Sequence, residues 1–353
     1  MNRRTFAHIS SLSVAQALLA AEAPAARSRV GLCTFSCKNS WAAARKNPAA
    51  APFHDARTFF DYSRSLGGDG VQTGAGGLTI EEARALRAHV EKTGGYYEGD
   101  VQMPKTEKDL ADFEQEVRLA KAAGAKCARV ILMGGRRYEV FKTLDEFKAY
   151  RTEGLKRLQL AEPIARKCGL VLAMENHKDF LVPEQLDMLR QIDSEWLRVL
   201  VDTGNNIAMC EDPYEVIEAL APYAVSCHLK DIAVQPTDDG FLISEVPFGT
   251  GFLDMKRIVR TLATANPAID FHVEMATRDP LLVPCQTDAY WAVFPERREA
   301  DLKRTLAMVR TLAMVAANTP KQPPPSLTGR SAEQILADEE NNNRACFQWA
   351  VRL

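Results

Sequence analysis

Four apolar runs in this sequence end in residues that ligate metal or move protons. Val171 to Met174 runs into Glu175, Asn176 and His177. Leu197 to Val201 runs into Asp202, Thr203, Gly204 and Asn205. Ala224 to Cys227 runs into His228, Leu229, Lys230 and Asp231, and Ile269 to Val273 runs into Glu274. Glu175, Asp202, His228 and Glu274 together supply three carboxylates and one imidazole. That oxygen-rich set suits one octahedral divalent ion better than a structural zinc. Mn²⁺ is the first expectation, with Mg²⁺, Co²⁺ or Zn²⁺ as alternatives. An ion held there polarises a carbonyl or hydroxyl and stabilises an enediolate. A single acid at a strand end is ordinarily a cap or a salt-bridge partner. Four in successive runs, each closing an apolar stretch, are not explained that way.

Residues near the four extend the set. His177 follows Glu175 by two, so on an extended chain both face one side. It can donate a proton, touch a substrate oxygen, or support a ligand from behind. Asn205 and Asn206 suit substrate contacts or a turn. Lys230 faces the same side as His228, where it binds a hydroxyl or an oxyanion, or pairs with Asp231 or Asp202. Arg136, Arg137 and Arg278 fall on loops at the same end and suit an anionic group or simple solvation. Trp41, Tyr96 and Phe248 can stack on a sugar ring or fill the core. No glycine-rich phosphate cradle is present, so the expected substrate is not phosphorylated.

These tips need elements to hold them. The apolar parts read as strands buried on both faces, since neither face alternates with polar residues. Helical patterns separate them. Thr79 caps one helix, with Glu81 and Glu82 in its first turn and Gly94-Gly95 at its end. Earlier strands are expected over Arg29–Phe35, Gly70–Thr73, Tyr96–Met103 and Ala128–Met133, with loops over Ser36–Trp41 and Ile232–Gly251. Strand and helix alternate throughout, which predicts βα units. The predicted fold is an α/β (β/α)8 TIM barrel, with its site at the C-terminal ends of the strands. It spans residues 27–317. The remainder, 318–353, reads as a Pro-rich linker around Lys321–Pro325 and a tail with one short helix.

Bulk properties exclude some classes. With 353 residues, 46% hydrophobic and 25% charged, the chain can bury a large core. Its net charge of -2 advertises neither nucleic acid nor an anionic membrane. No apolar run is long enough to span a bilayer. Residues 1–26 carry Arg3-Arg4, then Phe6, a mildly apolar segment and an alanine-rich end. This order predicts a twin-arginine export signal and a periplasmic protein. The cysteines show no CxxC pair and no zinc spacing, and a disulfide is left open.

The order MENHKDF, VDTGN, CHLKD and VEM resembles the xylose isomerase-like TIM-barrel superfamily. VPFGTGFLDMKRIV, from Val246 to Val259, resembles its stretch between strands seven and eight. The likeness covers about residues 29–280 and is strongest from 170 onward. The superfamily includes sugar isomerases, ketose 3-epimerases, inosose dehydratases and endonuclease IV. The resemblance implies that Glu175 and Glu274 both bind metal and move protons. It implies an isomerase or epimerase acting through an enediolate on a small-molecule sugar. The alternative is a lyase that eliminates a group from a keto-sugar or keto-glycoside. A DNA repair nuclease ranks last, because only His177 and His228 fall at the mouth and its three-zinc cluster needs more. A non-catalytic sugar binder would not need the metal set. Substrate identity and homo-oligomeric state stay open.

Overall fold

The computed structural model describes residues 28–318 and 326–353. The export-signal segment and most of the Pro-rich linker lie outside the described residues. Eleven strands follow in chain order: β1 (Val30–Cys33), β2 (Gly70–Thr73), β3 (Tyr96–Asp100), β4 (Cys127–Val130), β5 (Val171–Glu175), β6 (Leu197–Asp202), β7 (Ala224–Leu229), β8 (Asp231–Thr237), β9 (Gly240–Val246), β10 (Asp270–Val273) and β11 (Leu281–Val283). Eight of them close a parallel barrel in the order β1-β10-β7-β6-β5-β4-β3-β2. This is the expected TIM barrel. Its strands are buried along nearly their whole length, as the unbroken apolar runs require.

Local signals place the surrounding helices. Thr79 and Glu82 form a reciprocal cap on the helix Ile80–Lys92. Thr143 and Glu146 do the same for Leu144–Cys168, which stops at Gly169 with φ +66°. The helix Met255–Ala265 is capped by Asp254 and buries Ile258, Val259 and Leu262 against the barrel.

Three expectations need correction. The loop predicted over Ile232–Gly251 is mostly the antiparallel hairpin β8–β9, extended by β11 into a three-stranded sheet. Asp238 and Asp239 form its two-residue turn, since Thr237 pairs with Gly240. Pro236 hides the strand from pattern reading, because proline lacks a ladder donor. The loop predicted over Ser36–Trp41 is a 3₁₀ turn followed by the helix Lys38–Lys46. That helix has no capping side chain and no acid in its first turn, so it carries no start signal. The tail's short helix is in fact Ala332–Ala350, nineteen residues long.

The tail helix lies on the barrel. Glu339 accepts hydrogen bonds from the backbone N–H groups of Asn39 and Ser40, both at 2.9 Å. Asn343 donates to Ser36 O at 3.1 Å. Trp349 meets Phe248 with ring centroids 5.9 Å apart. The helix therefore braces the 3₁₀ turn and helix that follow β1, at the end where the strands finish.

Candidate metal centre

Glu175, Asp202, His228 and Glu274 converge at the C-terminal mouth. Each offers a ligand atom, and all four atoms lie within 4.8 Å of one another. None of the four residues is more than 4% exposed. Parallel register brings them together: Asp202 pairs with His228 across β6 and β7, and β7 pairs with β10, which ends just before Glu274.

The donor set fits a divalent ion. His228 Nδ1 and Glu274 Oε2 are buried and make no hydrogen bond, and Asp202 Oδ2 has only the Lys230 ammonium, at 2.8 Å, as a partner. Such atoms are costly to bury unless something else satisfies them. His228 Nδ1 and Glu274 Oε2 approach to 2.5 Å without hydrogen-bond geometry, so they lie side by side rather than aimed at each other. Glu175 Oε2 is 3.8 Å from the same nitrogen. Hard carboxylate oxygens with one imidazole suit a divalent ion.

Counter-charges set the protonation states. Burial pushes the Glu175 carboxyl up, but Arg129, at 2.5 Å, and His228 outweigh it and hold it below the usual value. Burial likewise opposes ionisation of Glu274, and Lys230 and His228 hold it well below. Asp202 stays up at about 6, because burial outweighs Lys230. Burial lowers His228, yet the Glu274 carboxylate beside it raises it above the usual imidazole value. That basicity reports a strongly negative pocket, the field a cation would find.

Lys230 is at the centre of the surroundings. Its Nζ lies 2.8 Å from Asp202 and 3.0 Å from Glu274, so the ion pair with Asp202 is formed. It also donates to Asn205 Oδ1 at 3.2 Å. Asn205 Nδ2 donates to Glu175 Oε1 at 3.1 Å, so Asn205 bonds a metal-type carboxylate as well as a lysine. Arg278 bonds Glu245, whose other neighbour is Lys230 at 3.9 Å. Asn205, Lys230 and Arg278 are therefore gathered around the quartet.

The remaining sequence candidates differ in their surroundings. Arg136 pairs with Glu139 at 2.5 Å. Arg137 is fully buried, stacked on Phe147 at 3.3 Å and donating to Val293 O, so it holds the core together. Trp41 packs among Phe53 and Phe59, with centroids 4.8 and 5.4 Å away. Tyr96 starts β3, at the far end of the barrel, and its hydroxyl donates to Phe271 O at 2.7 Å. Phe248 rests on Trp349. His177 has an unpartnered Nδ1. Burial and Lys178 depress it to about 3, so it is neutral near pH 7, has no imidazolium proton to donate and resists taking one up.

Sequence reading misses several residues. Arg129 on β4 reads as a charge interrupting an apolar strand, and that interruption is the signal that could have found it. Gln72 Oε1 lies 2.6 Å from His228 Nε2. Cys33 at the end of β1 falls within the same 4.8 Å grouping as His228 and Glu274, although burial raises its thiol pKa and keeps it protonated. Phe35 is 39% exposed, with Lys38 and Arg278 beside its ring. It takes the place at the mouth expected of Trp41. All eight cysteines are free thiols.

Comparisons with known proteins agree with this architecture. The 3-oxo-isoapionate decarboxylase of Pectobacterium atrosepticum is 32% identical over 129 residues, 36% of this chain and 47% of that one. An L-ribulose-5-phosphate 3-epimerase of Salmonella paratyphi A is 28% identical over 152 residues, 42% of this chain and 50% of that one. The chain spans about half the length of the curated relatives it matches. Among solved structures, D-psicose 3-epimerase from Clostridium cellulolyticum H10 superposes with a TM-score of 0.55 at 14% identity, covering 80% of this chain and 99% of that one. The 3-keto-D-glucoside 4-epimerase of E. coli gives 0.51 at 14% identity, covering 81% and 100%. These structural likenesses are of fold. The model of the xylose isomerase-like TIM barrel matches residues 60–312. The chain belongs to the xylose isomerase-like TIM-barrel family.

Proposed function

We propose that the chain is a divalent-metal-dependent enzyme that isomerises or epimerises a non-phosphorylated keto-sugar. The carrying observation is the convergence of four ligand atoms within 4.8 Å, with His228 Nδ1 and Glu274 Oε2 buried without a hydrogen bond. Glu175, Asp202, His228 and Glu274 would hold the ion, with Mn²⁺ the first choice. A bound ion would supply Lewis-acid polarisation of the substrate carbonyl and stabilise the negative charge that develops there.

The chain's own groups supply the proton chemistry. Glu175 and Glu274 are held ionised against burial, as a base must be. β5 and β10 are not neighbours in the barrel, so the two carboxylates reach a central substrate from different sides. One takes the proton beside the carbonyl. In an epimerase the other returns a proton to the opposite face. Arg129 fixes Glu175, and Lys230 fixes Glu274. Lys230 is charged and adjacent, placed to steady a hydroxyl or an oxyanion.

A lyase is the second reading, favoured by the partial likeness to a decarboxylase. It uses the same base, and a group leaves the substrate instead of a proton returning. Incubating Mn²⁺-loaded protein with keto-sugars in D₂O, followed by NMR, tests both. Deuterium entering without loss of a group supports isomerisation or epimerisation; elimination supports the lyase. No exchange with any keto-sugar, or purified protein that binds no divalent ion, defeats the proposal.

A further inference from the structure

The substrate side of the quartet holds more positive charge than a neutral sugar needs. Lys178 and Lys230 both donate to one oxygen, Asn205 Oδ1. They are 3% and 2% exposed. Lys230 has carboxylate neighbours on Asp202 and Glu274, and Arg278 has Glu245. Lys178 differs. Among the described residues, no carboxylate lies within ion-pairing distance of its Nζ, and its bond goes to a neutral amide. Burying an ammonium without a counter-ion is strongly unfavourable. Setting it beside a second ammonium adds repulsion. Burial and Lys230 accordingly push its pKa down to about 7. A fold that gathers these groups at its catalytic mouth is set for an anion that arrives from outside.

Arg278 is paired with Glu245, and Lys230 with Asp202 and Glu274, so among the described residues Lys178 is the cation of this group without a carboxylate partner. Place narrows the chemistry further. Lys230 touches two of the quartet, and Lys178 shares Asn205 with it. An anion held there lies close to the quartet and so to the reacting carbonyl. A sugar acid has its carboxylate there, whereas a terminal phosphate lies farther along the chain.

We propose that the substrate is an oxo sugar acid whose carboxylate is held by Lys178, with Lys230 and Arg278 beside it. This rests on the metal-enzyme reading above and names its substrate class. The test uses Mn²⁺-loaded protein and inert probes in calorimetry: D-erythronate, erythritol as its uncharged counterpart, and inorganic phosphate. Mn²⁺ affinity is titrated separately in every sample. The parent should bind erythronate at least about tenfold more tightly than erythritol, the scale of one charge-assisted hydrogen bond. Lys178→Met should cut that preference about tenfold or more at unchanged Mn²⁺ affinity, and Lys178→Arg should restore part of it. Thermal melts check that both variants fold. Three results overturn the inference: equal binding of erythronate and erythritol, a preference that survives in Lys178→Met because the ion alone holds the acid, or phosphate binding more tightly than erythronate. Failure to bind Mn²⁺ in the parent instead overturns the metal reading on which it rests.

Discussion

Two polar layers fill this barrel, one above the other, and burial acts on them in opposite ways. The lower layer is Gln72, Glu98, Ser226 and His272, midway along β2, β3, β7 and β10. The upper layer is the quartet at the strand ends. Glu98 is 3% exposed and Glu175 and Glu274 are each 4% exposed, so exposure does not separate them. Below, burial, aided by Asp270, raises Glu98 to about 8. Burial and His228 hold His272 well below the usual imidazole value. Near neutral pH the lower layer is mostly uncharged. It is tied by Ser226 donating to Glu98 at 2.6 Å and Gln72 donating to Glu98 at 3.0 Å. Above, Arg129 and Lys230 reverse the effect of burial and keep carboxylates ionised. The counter-charges supplied by neighbouring strands, and not depth, decide which layer can do acid–base chemistry.

The largest effect should come from removing an upper-layer ligand. Asp202→Ala or His228→Ala should abolish measurable Mn²⁺ binding and activity together, read by metal analysis and turnover. Full occupancy in either variant would show that the quartet does not hold the ion. Next come Glu175→Gln and Glu274→Gln, which keep an oxygen and lose the base. Each should retain some metal and lose about 10² to 10⁴ in turnover. Solvent deuterium exchange into substrate at the parent rate in both variants would clear both residues of that role.

A smaller effect tests the joint between the layers. Gln72 gives its amide N–H to Glu98, so its Oε1 accepts from His228 Nε2–H, 2.6 Å away. That bond fixes the imidazole tautomer and leaves Nδ1 to face the acids. Gln72→Met keeps the volume and removes the acceptor. Mn²⁺ affinity should fall about 10- to 100-fold. Unchanged affinity would mean that the layers are mechanically independent.

The upper layer is readable in the sequence because its ligand-type residues interrupt apolar runs abruptly. Four tips at βα spacing announce a barrel and its mouth together. The lower layer is hidden. Gln72 and Ser226 look like ordinary polar residues in short strands, and Glu98 in Tyr-Tyr-Glu-Gly-Asp looks solvent-facing until the barrel closes around it. Only closure brings β3 against β7 across the interior, so no local pattern carries the pairing. The same limit hides Phe35, whose place at the mouth depends on Arg278 from the far end of the chain. The hairpin β8–β9 is lost for a different reason: Pro236 and paired aspartates imitate a loop while the strands pair through the residues between.

The smallest expected effect on turnover belongs to Glu98→Gln, and it tests whether the lower layer is neutral. The amide keeps an oxygen for Gln72 and Ser226, so packing and hydrogen bonds survive. What it removes is a titration. In the native barrel Glu98 releases its proton at about 8, against 4.5 for an ordinary glutamate. Between those values the native state holds a proton that the unfolded chain has lost. Stability of the parent must therefore decline as pH rises through that window and level off above it. Every pH unit crossed in the window removes roughly 1.4 kcal/mol, so the accumulated loss by pH 8 is on the order of a few kcal/mol. His272 works with the opposite sign, costing stability as pH falls below the usual imidazole value, but it is present in both proteins and cancels in the difference. Urea unfolding of parent and variant at about pH 5, 6.5 and 8 gives that difference directly. The variant should gain on the parent steadily across the series. A difference that does not change with pH would show Glu98 already ionised in the native barrel, and the two layers would then differ in position but not in charge.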